Sequence, residues 1–332
     1  MTRAGRLLFL LKGGHEMRYF DCHADTLTEI RNENESLSSN TCDLDLDRVQ
    51  KFADTYTQIF AIWKNRKEMD ETAPEEEFLR LYERAAALLG EADSRICWCR
   101  TADDMEEAHR AGKAAAFLSL EDVSIAGKYS TRLKELGFSF AMLTWNYENE
   151  FACGAAPGPG IDPAGRGLTK RGRELVRVLA DQGIILDISH LSDQGAEDLF
   201  SITEAPVIAS HSNVRSVCAH PRNLPDSLIH EIIRRKGLIG MNFFAPFVGE
   251  YSGIEGVLRH VDAVLSMGGE NVLALGADFD GCSGQFPPGI TGVESIPELK
   301  RYMEAAGLGA ELTDKILCGN AEAFIKRSAG KG

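Results

Sequence analysis

The chain of 332 residues carries 50 acidic against 36 basic side chains, a net charge of −14, and is 44% hydrophobic and 26% charged. That balance excludes a nucleic-acid binder, because a phosphate backbone demands a Lys/Arg surface. The length suits one large α/β barrel, whose core needs no disulfide staple.

The chain opens with MTRAGRLLFLLKGGHEM, in which the apolar stretch Leu7 to Leu11 is only five residues. That is too short for a signal-peptide core or a membrane span. Residues 1–16 are therefore expected to be an extension without fold, followed by one domain over 17–328, with no membrane contact. Eight scattered cysteines, with Cys97 and Cys99 in C-x-C rather than C-x-x-C spacing, point to reduced thiols and a cytoplasmic setting.

From Met17 onward, short apolar runs alternate with amphipathic stretches, the pattern of βα units and a parallel sheet. Eight strands are expected, at Arg18–Cys22, Gln58–Ile62, Ala115–Leu120, Phe140–Thr144, Ile184–Ile188, Val207–Ser210, Leu238–Asn242 and Val272–Gly276. Helices are expected over Glu75–Ala92, Lys170–Gln182 (with Gly183 as its stop), Asp226–Arg235 and Ile254–Ser266, and two or three more after the last strand. The count predicts a (β/α)8 TIM barrel with additional C-terminal helices; a doubly wound open sheet is the alternative.

Catalytic groups of such barrels come from the C-terminal ends of several strands. Here those ends are rich in ligand-type residues: Asp21-Cys22-His23-Ala24-Asp25, Glu121, Asp187-Ile188-Ser189-His190, Ser210-His211-Ser212 and Asp278-Phe279-Asp280-Gly281. His23 and Asp25 alternate in extended chain, so both can face one cation. His190 and His211 each close an apolar strand; one alone reads as a core histidine, two with His23 read as ligands. Glu121 ends a buried strand, where a carboxylate needs a partner or a cation. Its bland reading is a helix N-terminal Glu or a salt bridge to Lys or Arg. Of Asp278 and Asp280, one is expected to face the mouth as a general base. Arg222, in the Pro-framed HPRNLPD loop, either clamps a substrate carboxylate or pairs with Asp226. His109, His230 and His260 read as solvated helix positions, and His220 as a residue near the cleft.

In order and length these segments resemble the membrane (renal) dipeptidase family, peptidase family M19, among the amidohydrolase-type barrels. The resemblance runs from about Tyr19 to Phe324, through FDCHADT, the Glu121 strand end, GLTKRGRELVRVLADQGIILDISHLS, PVIASHSNVRSVCAHPRNLPD, GADFDG and GNAEAF. It implies two zinc ions, one on His23 and Asp25 and the other on His190 and His211, with Glu121 bridging. It further implies a metal-bridging hydroxide, with Asp278 as catalytic carboxylate and Arg222 receiving the substrate carboxylate. The implied substrates are dipeptides, including some with a D-residue at the C-terminal position. Manganese or cobalt could fill an N/O site of this kind instead, and a homodimer stays open.

One position departs from the family's pattern. Where the family commonly carries L-T-H, this chain has Leu143-Thr144-Trp145, and an indole offers one N–H and no positive charge. Alternatives are therefore a related barrel hydrolase of N-acyl amino acids, lactones or cyclic amides, or a non-catalytic metal-binding relative. The Gly- and Pro-rich loop that follows is expected to shape the pocket rim, with Trp145, Asn146 and Asn149 as candidate substrate contacts.

Overall fold

The strands observed are β1 (Arg18–Ala24), β2 (Thr55–Trp63), β3 (Ile96–Trp98), β4 (Ala114–Glu121), β5 (Phe138–Met142), β6 (Ile185–Asp187), β7 (Ile208–Ala209), β8 (Leu238–Met241) and β9 (Leu273–Leu275). The computed structural model describes residues 17–329 apart from 33, 70–73, 92–94, 157, 159, 161 and 250–252. The expected extension over 1–16 lies outside the described residues.

Every pairing between strands is parallel, in the order β2-β1-β9-β8-β7-β6-β5-β4, and β2 pairs with β4 to close the ring. The eight closing strands are the eight expected from the apolar runs, so the barrel stands and the open sheet falls. The addition is β3, which pairs with Ala114–Ala116 at the start of β4. Its three residues are a short apolar stretch of which only the first is buried, unlike the strands of the closed ring.

Alternation along the strands divides the core in two. Phe20, Cys22, Ile59, Phe117, Phe140, Ile185, Ile208, Leu238 and Ala274 point inward and fill the barrel. Phe60, Ile62, Leu118, Leu120 and Leu186 point outward beneath the helices. Each buried Phe or Leu contributes roughly 1.5–3 kcal/mol. The chain ends in helices at Ile296–Ala305, Gly309–Asp314 and Asn320–Ser328, with a π-helical stretch Lys315–Gly319 between the last two. Cys318, Ala321, Phe324 and Ile325 from this region join the inner core. Asn320 donates to the carbonyls of Glu270 (2.9 Å) and Leu273 (2.8 Å), and Arg18 at the start of β1 pairs with Asp314 and Glu322. These contacts seal the N-terminal end of the barrel, which leaves the C-terminal end for chemistry.

The helices follow local rules. Lys170–Asp181 buries Leu175, Val176 and Leu179, is capped by Thr169 accepting from Gly172 N–H (3.1 Å), and is followed by Gly183 at φ 72°. Among the histidines expected on solvated helix faces, only His230 is exposed. His260 is fully buried: its Nδ1 accepts from Val214 N–H (3.1 Å) and its Nε2 donates to Val248 C=O (3.1 Å). His109 lies within 2.9 Å of Thr57 Oγ1.

Candidate metal centre and active site

Two buried carboxylates build the strand ends from below. Asp21 accepts from the N–H of His23 (3.0 Å) and Ala277 (3.2 Å) and from the Tyr19 hydroxyl (2.7 Å), which ties β1 to the residues after β9. Asp187 does the same on the other side, accepting from Ser189 N–H (2.9 Å) and Ser210 N–H (3.1 Å). Both sit in the ligand-rich segments of the sequence, yet each has an oxygen held by backbone N–H groups. Their D-x-H and D-x-S-H spacing is the signal of that role: a carboxylate two residues back holds the next N–H of the strand end.

Above them the side chains converge. Glu121 Oε2 lies 3.1 Å from His23 Nε2, and Glu121 Oε1 lies 3.1 Å from His190 Nε2. His190 Nε2 and His211 Nε2 are 2.8 Å apart. His23 Nε2 is 3.6 Å from Asp25 Oδ2 and 3.8 Å from Asp278 Oδ1. Ligand atoms thus fall into three overlapping groups, each within 4.8 Å: His23, Asp25 and Glu121; Glu121, His190 and His211; His23, His211 and Asp278. Neither bland reading of Glu121 holds, since its partners are imidazoles rather than Lys, Arg or a helix terminus.

The donor set fits a pair of divalent cations. Both ring nitrogens of His23, Asp25 Oδ1 and Glu121 Oε2 are buried without a hydrogen-bond partner, a state that costs about 1–3 kcal/mol per group unless something else binds there. Burial, then the charges of Arg222 and His23, push the His190 imidazole well below its ordinary range. Burial, His23 and Arg222 do the same to His211. Both rings are therefore neutral, the form a metal needs. Burial also lowers His23, but the carboxylates of Glu121 and Asp25 outweigh it and hold that ring well above its ordinary range. Burial and the nearby Asp25 push Glu121 up to about 7, against the pull of His23. A cation among these groups would offset the burial of the carboxylates that raises them.

Two neighbours aim the imidazoles. Asn146 Oδ1 lies 2.9 Å from His190 Nδ1, and Ser210 Oγ lies 2.8 Å from His211 Nδ1. The Asn146 amide oxygen can only accept, so it places the proton on His190 Nδ1 and leaves Nε2 free toward Glu121, while the Ser210 hydroxyl orients the His211 ring. Asn146, expected as a substrate contact, thus already has its amide oxygen on a candidate ligand. His190 holds a φ of 68° and Asp278 one of 61°, a left-handed backbone that costs non-glycine residues about 1–3 kcal/mol and clusters at working sites.

Of the two aspartates in GADFDG, Asp278 faces the cluster. Its Oδ2 accepts from Asn242 Nδ2 (2.9 Å), and burial, against the pull of His23, pushes its carboxyl up to about 6. Asp280 accepts from Thr26 Oγ1 (2.5 Å) and Asp43 N–H (2.6 Å) and serves the scaffold. Gly281, which follows Asp280, is required there, since a Cβ would overlap Asp278 Oδ1 and Asp25 Oδ2. Asn242 had no reading from the sequence; its place at the end of β8 was the available signal.

Arg222 is buried under the mouth, 5.4 Å over the Phe247 ring, with its Nε unpartnered. Burial lowers it to about 10, against the attraction of Asp278 and Glu121. It makes no pair with Asp226, which instead accepts from Ser216 Oγ (2.9 Å). His220 supports this loop: its ring packs 4.5 Å from Phe247 and its Nδ1 accepts from Arg222 N–H (3.2 Å). Trp145 stands beside the cluster, its ring 6.0 Å from His190. Asn149 does not reach it. Its amide donates to Asp122 and the Leu143 carbonyl (both 2.8 Å) and accepts from Phe151 N–H (2.8 Å) and Ala152 N–H (3.1 Å), which uses its capacity within the loop.

Comparison with known proteins agrees with this geometry. The model of the membrane dipeptidase family, peptidase family M19, matches residues 14–327. A crystallised dipeptidase described as a metallopeptidase of family M19 is 28% identical, covers 95% of this chain and 99% of its own, and superimposes with a TM-score of 0.84. A metallopeptidase from Rhodobacter sphaeroides, liganded with a phosphinate mimic of the dipeptide L-Ala-D-Ala, is also 28% identical (94% and 99% covered, TM-score 0.79). Dipeptidase tcpJ of Claviceps purpurea is 30% identical over 232 residues, 67% of this chain and 53% of its own. The chain thus spans about half the length of that fungal relative. The chain belongs to the membrane dipeptidase family, peptidase family M19, and is a metal-dependent hydrolase on a (β/α)8 barrel.

Proposed function

We propose that the chain is a zinc-dependent dipeptidase, with residues 17–328 as one metallohydrolase domain, and that it cleaves dipeptides including those with a C-terminal D-residue. The observation that carries this is Glu121, whose two oxygens each lie 3.1 Å from a different imidazole amid buried ligand atoms that lack other partners. His23 and Asp25 would hold one zinc, His190 and His211 the other, and Glu121 would serve both. Zinc so bound would supply Lewis-acid polarisation of the scissile carbonyl and a source of hydroxide near neutral pH.

The chain's own residues do the rest. Arg222 receives the C-terminal carboxylate; a buried guanidinium binds it strongly because little water competes. Asn242 occupies Asp278 Oδ2, which leaves Oδ1 to take the proton of the attacking water and pass it to the leaving amine. The mimic bound to the Rhodobacter sphaeroides relative supports a D-residue on the Arg222 side. None of the eight cysteines is in a disulfide, which fits a cytoplasmic site of action; no helix among the described residues is long and apolar enough to cross a membrane. Trp145 favours one second reading, hydrolysis of N-acyl amino acids, lactones or cyclic amides on the same ligands.

The test is elemental analysis of protein purified without added metal, with an assay on L,L- and L,D-dipeptides from the same sample. Near two zinc per chain with dipeptide turnover is the expected outcome. Two zinc with turnover of N-acyl amino acids alone would move the assignment to the second reading. Failure to take up metal would remove both.

A further inference from the structure

The mouth of the barrel holds a second volume beside the cluster. A cavity of about 460 Å³ is lined by Arg66, Lys67 and Met69 after β2, Asp122 after β4, and Trp145 and Tyr147 after β5, among others. None of its lining residues belongs to the cluster of His23, Asp25, Glu121, His190, His211 and Asp278. Trp145 is the point of contact: it lines the cavity and its ring lies 6.0 Å from that of His190. The indole is clamped, since Trp63 packs 5.1 Å away and Tyr147 meets it edge-on at 5.1 Å. Tyr147 in turn carries the Lys67 ammonium 3.3 Å over its ring.

Barrel order says which end of a substrate meets this wall. Around the ring the strands run β1, β2, β4, β5, β6, β7, β8, β9, so β4 stands across from β8. Arg222 follows β7 and rests on Phe247, which follows β8; the cavity sits over β2, β4 and β5. A dipeptide held by its carboxylate at Arg222 crosses the cluster and points its N-terminal residue at Trp145. This step rests on the dipeptidase reading above.

We infer that Trp145 is a specificity-determining partition, which closes the 460 Å³ cavity off from the reaction centre and restricts the enzyme to dipeptides with a small N-terminal side chain. Removing the indole opens this cavity toward the cluster and gives a large N-terminal side chain, such as that of Phe or Leu, a place to go. The gain comes from the apolar part of the lining, Met69, Pro74 and the Tyr147 ring, which lies beside the charged Arg66, Lys67, Asp122 and Glu148; a methylene placed against such apolar surface changes kcat/KM on the order of 10-fold.

The experiment measures kcat/KM for Ala-Ala and Phe-Ala with wild-type protein, Trp145→Ala, Trp145→His and Tyr147→Ala, each with its zinc content. The wild type is expected to prefer Ala-Ala, and Trp145→Ala to raise the Phe-Ala to Ala-Ala ratio on the order of 10-fold or more. Trp145→His, the milder truncation, is expected to move the ratio the same way and carries the test should the alanine variant not fold. Tyr147→Ala removes one of the two rings that clamp the indole and is expected to move the ratio the same way but by less, because the indole itself stays. An unchanged ratio in zinc-loaded Trp145→Ala and Trp145→His, or a wild type that already favours Phe-Ala, overturns the partition while leaving the dipeptidase reading intact. A zinc-loaded wild type that cleaves no dipeptide overturns the dipeptidase reading and this inference with it.

Discussion

At the scale of single residues, the site is a set of divided labours that one-dimensional spacing blurs. Asp21 lies within β1, Asp187 ends β6, and Asp278 and Asp280 follow β9, yet Asp21, Asp187 and Asp280 accept from backbone or hydroxyl donors. Asp278 keeps Oδ1 toward His23 because Asn242 takes only Oδ2. Replacing Asp278 by Asn preserves the shape and the Asn242 contact but removes the carboxylate proposed as proton acceptor. Asp278→Asn is expected to bind the same amount of zinc as wild type and to lose on the order of 10²–10⁴-fold in kcat. Steady-state kinetics with parallel metal analysis measures this, and a variant with full turnover would exclude Asp278 as the base.

At the scale of elements, the loops after the strands are held by residues that look ordinary in the sequence. Helix Ile254–Ser266 sends His260 into the core, where it joins Val214, after β7, to Val248, after β8. Both contacts are to backbone, and one needs a ring nitrogen without a proton. Burial accordingly depresses the His260 pKa below its ordinary value, with the Val248 carbonyl opposing. A depressed folded-state pKa means that the unfolded chain binds the proton more readily. The stabilisation from His260 is then present above about pH 6.5 and declines as the pH falls through the depressed folded-state value. Denaturant melts should show wild type more stable than His260→Gln at about pH 8, with the gap narrowing toward about pH 5. A gap that widens on acidification would contradict this assignment.

At the scale of the whole molecule, the barrel gathers three carboxylates and three imidazoles into one buried cluster, an arrangement that opposes folding until cations neutralise it. Metal is therefore expected to act on stability as well as on turnover. A ligand that binds only the folded state at a hundred times its Kd adds about 2.7 kcal/mol. Chelator-treated protein is expected to melt at a lower temperature than the zinc-loaded form and to regain both Tm and activity when zinc is restored. Identical melting curves with and without zinc would mean that the cluster binds no metal tightly.

Much of this was legible in one dimension. A parallel barrel buries both faces of its strands, so each of the eight closing strands leaves a short apolar run, and polar residues interrupting those runs at one end mark the mouth. The candidate ligands His23, Asp25, Glu121, His190 and His211 stand out for that reason, as does the replacement of the family's histidine by Trp145. What the sequence could not reveal depends on contacts between residues far apart in the chain. β3 is an apolar stretch of three residues with only the first buried, too short to mark a strand by itself. His260 lies on an amphipathic helix like any surface histidine until Val214 and Val248 close on it. Whether Arg222 pairs with Asp226 or stays free was undecidable from local spacing, and the tertiary structure leaves it buried with Nε unpartnered. Asn146 reads as a rim residue until the β5 loop brings its amide to His190, 44 positions along the chain. Hydrophobic periodicity reports which face of an element is buried; only the packed fold reports which polar groups that burial leaves to one another, and in this molecule that is where the chemistry lies.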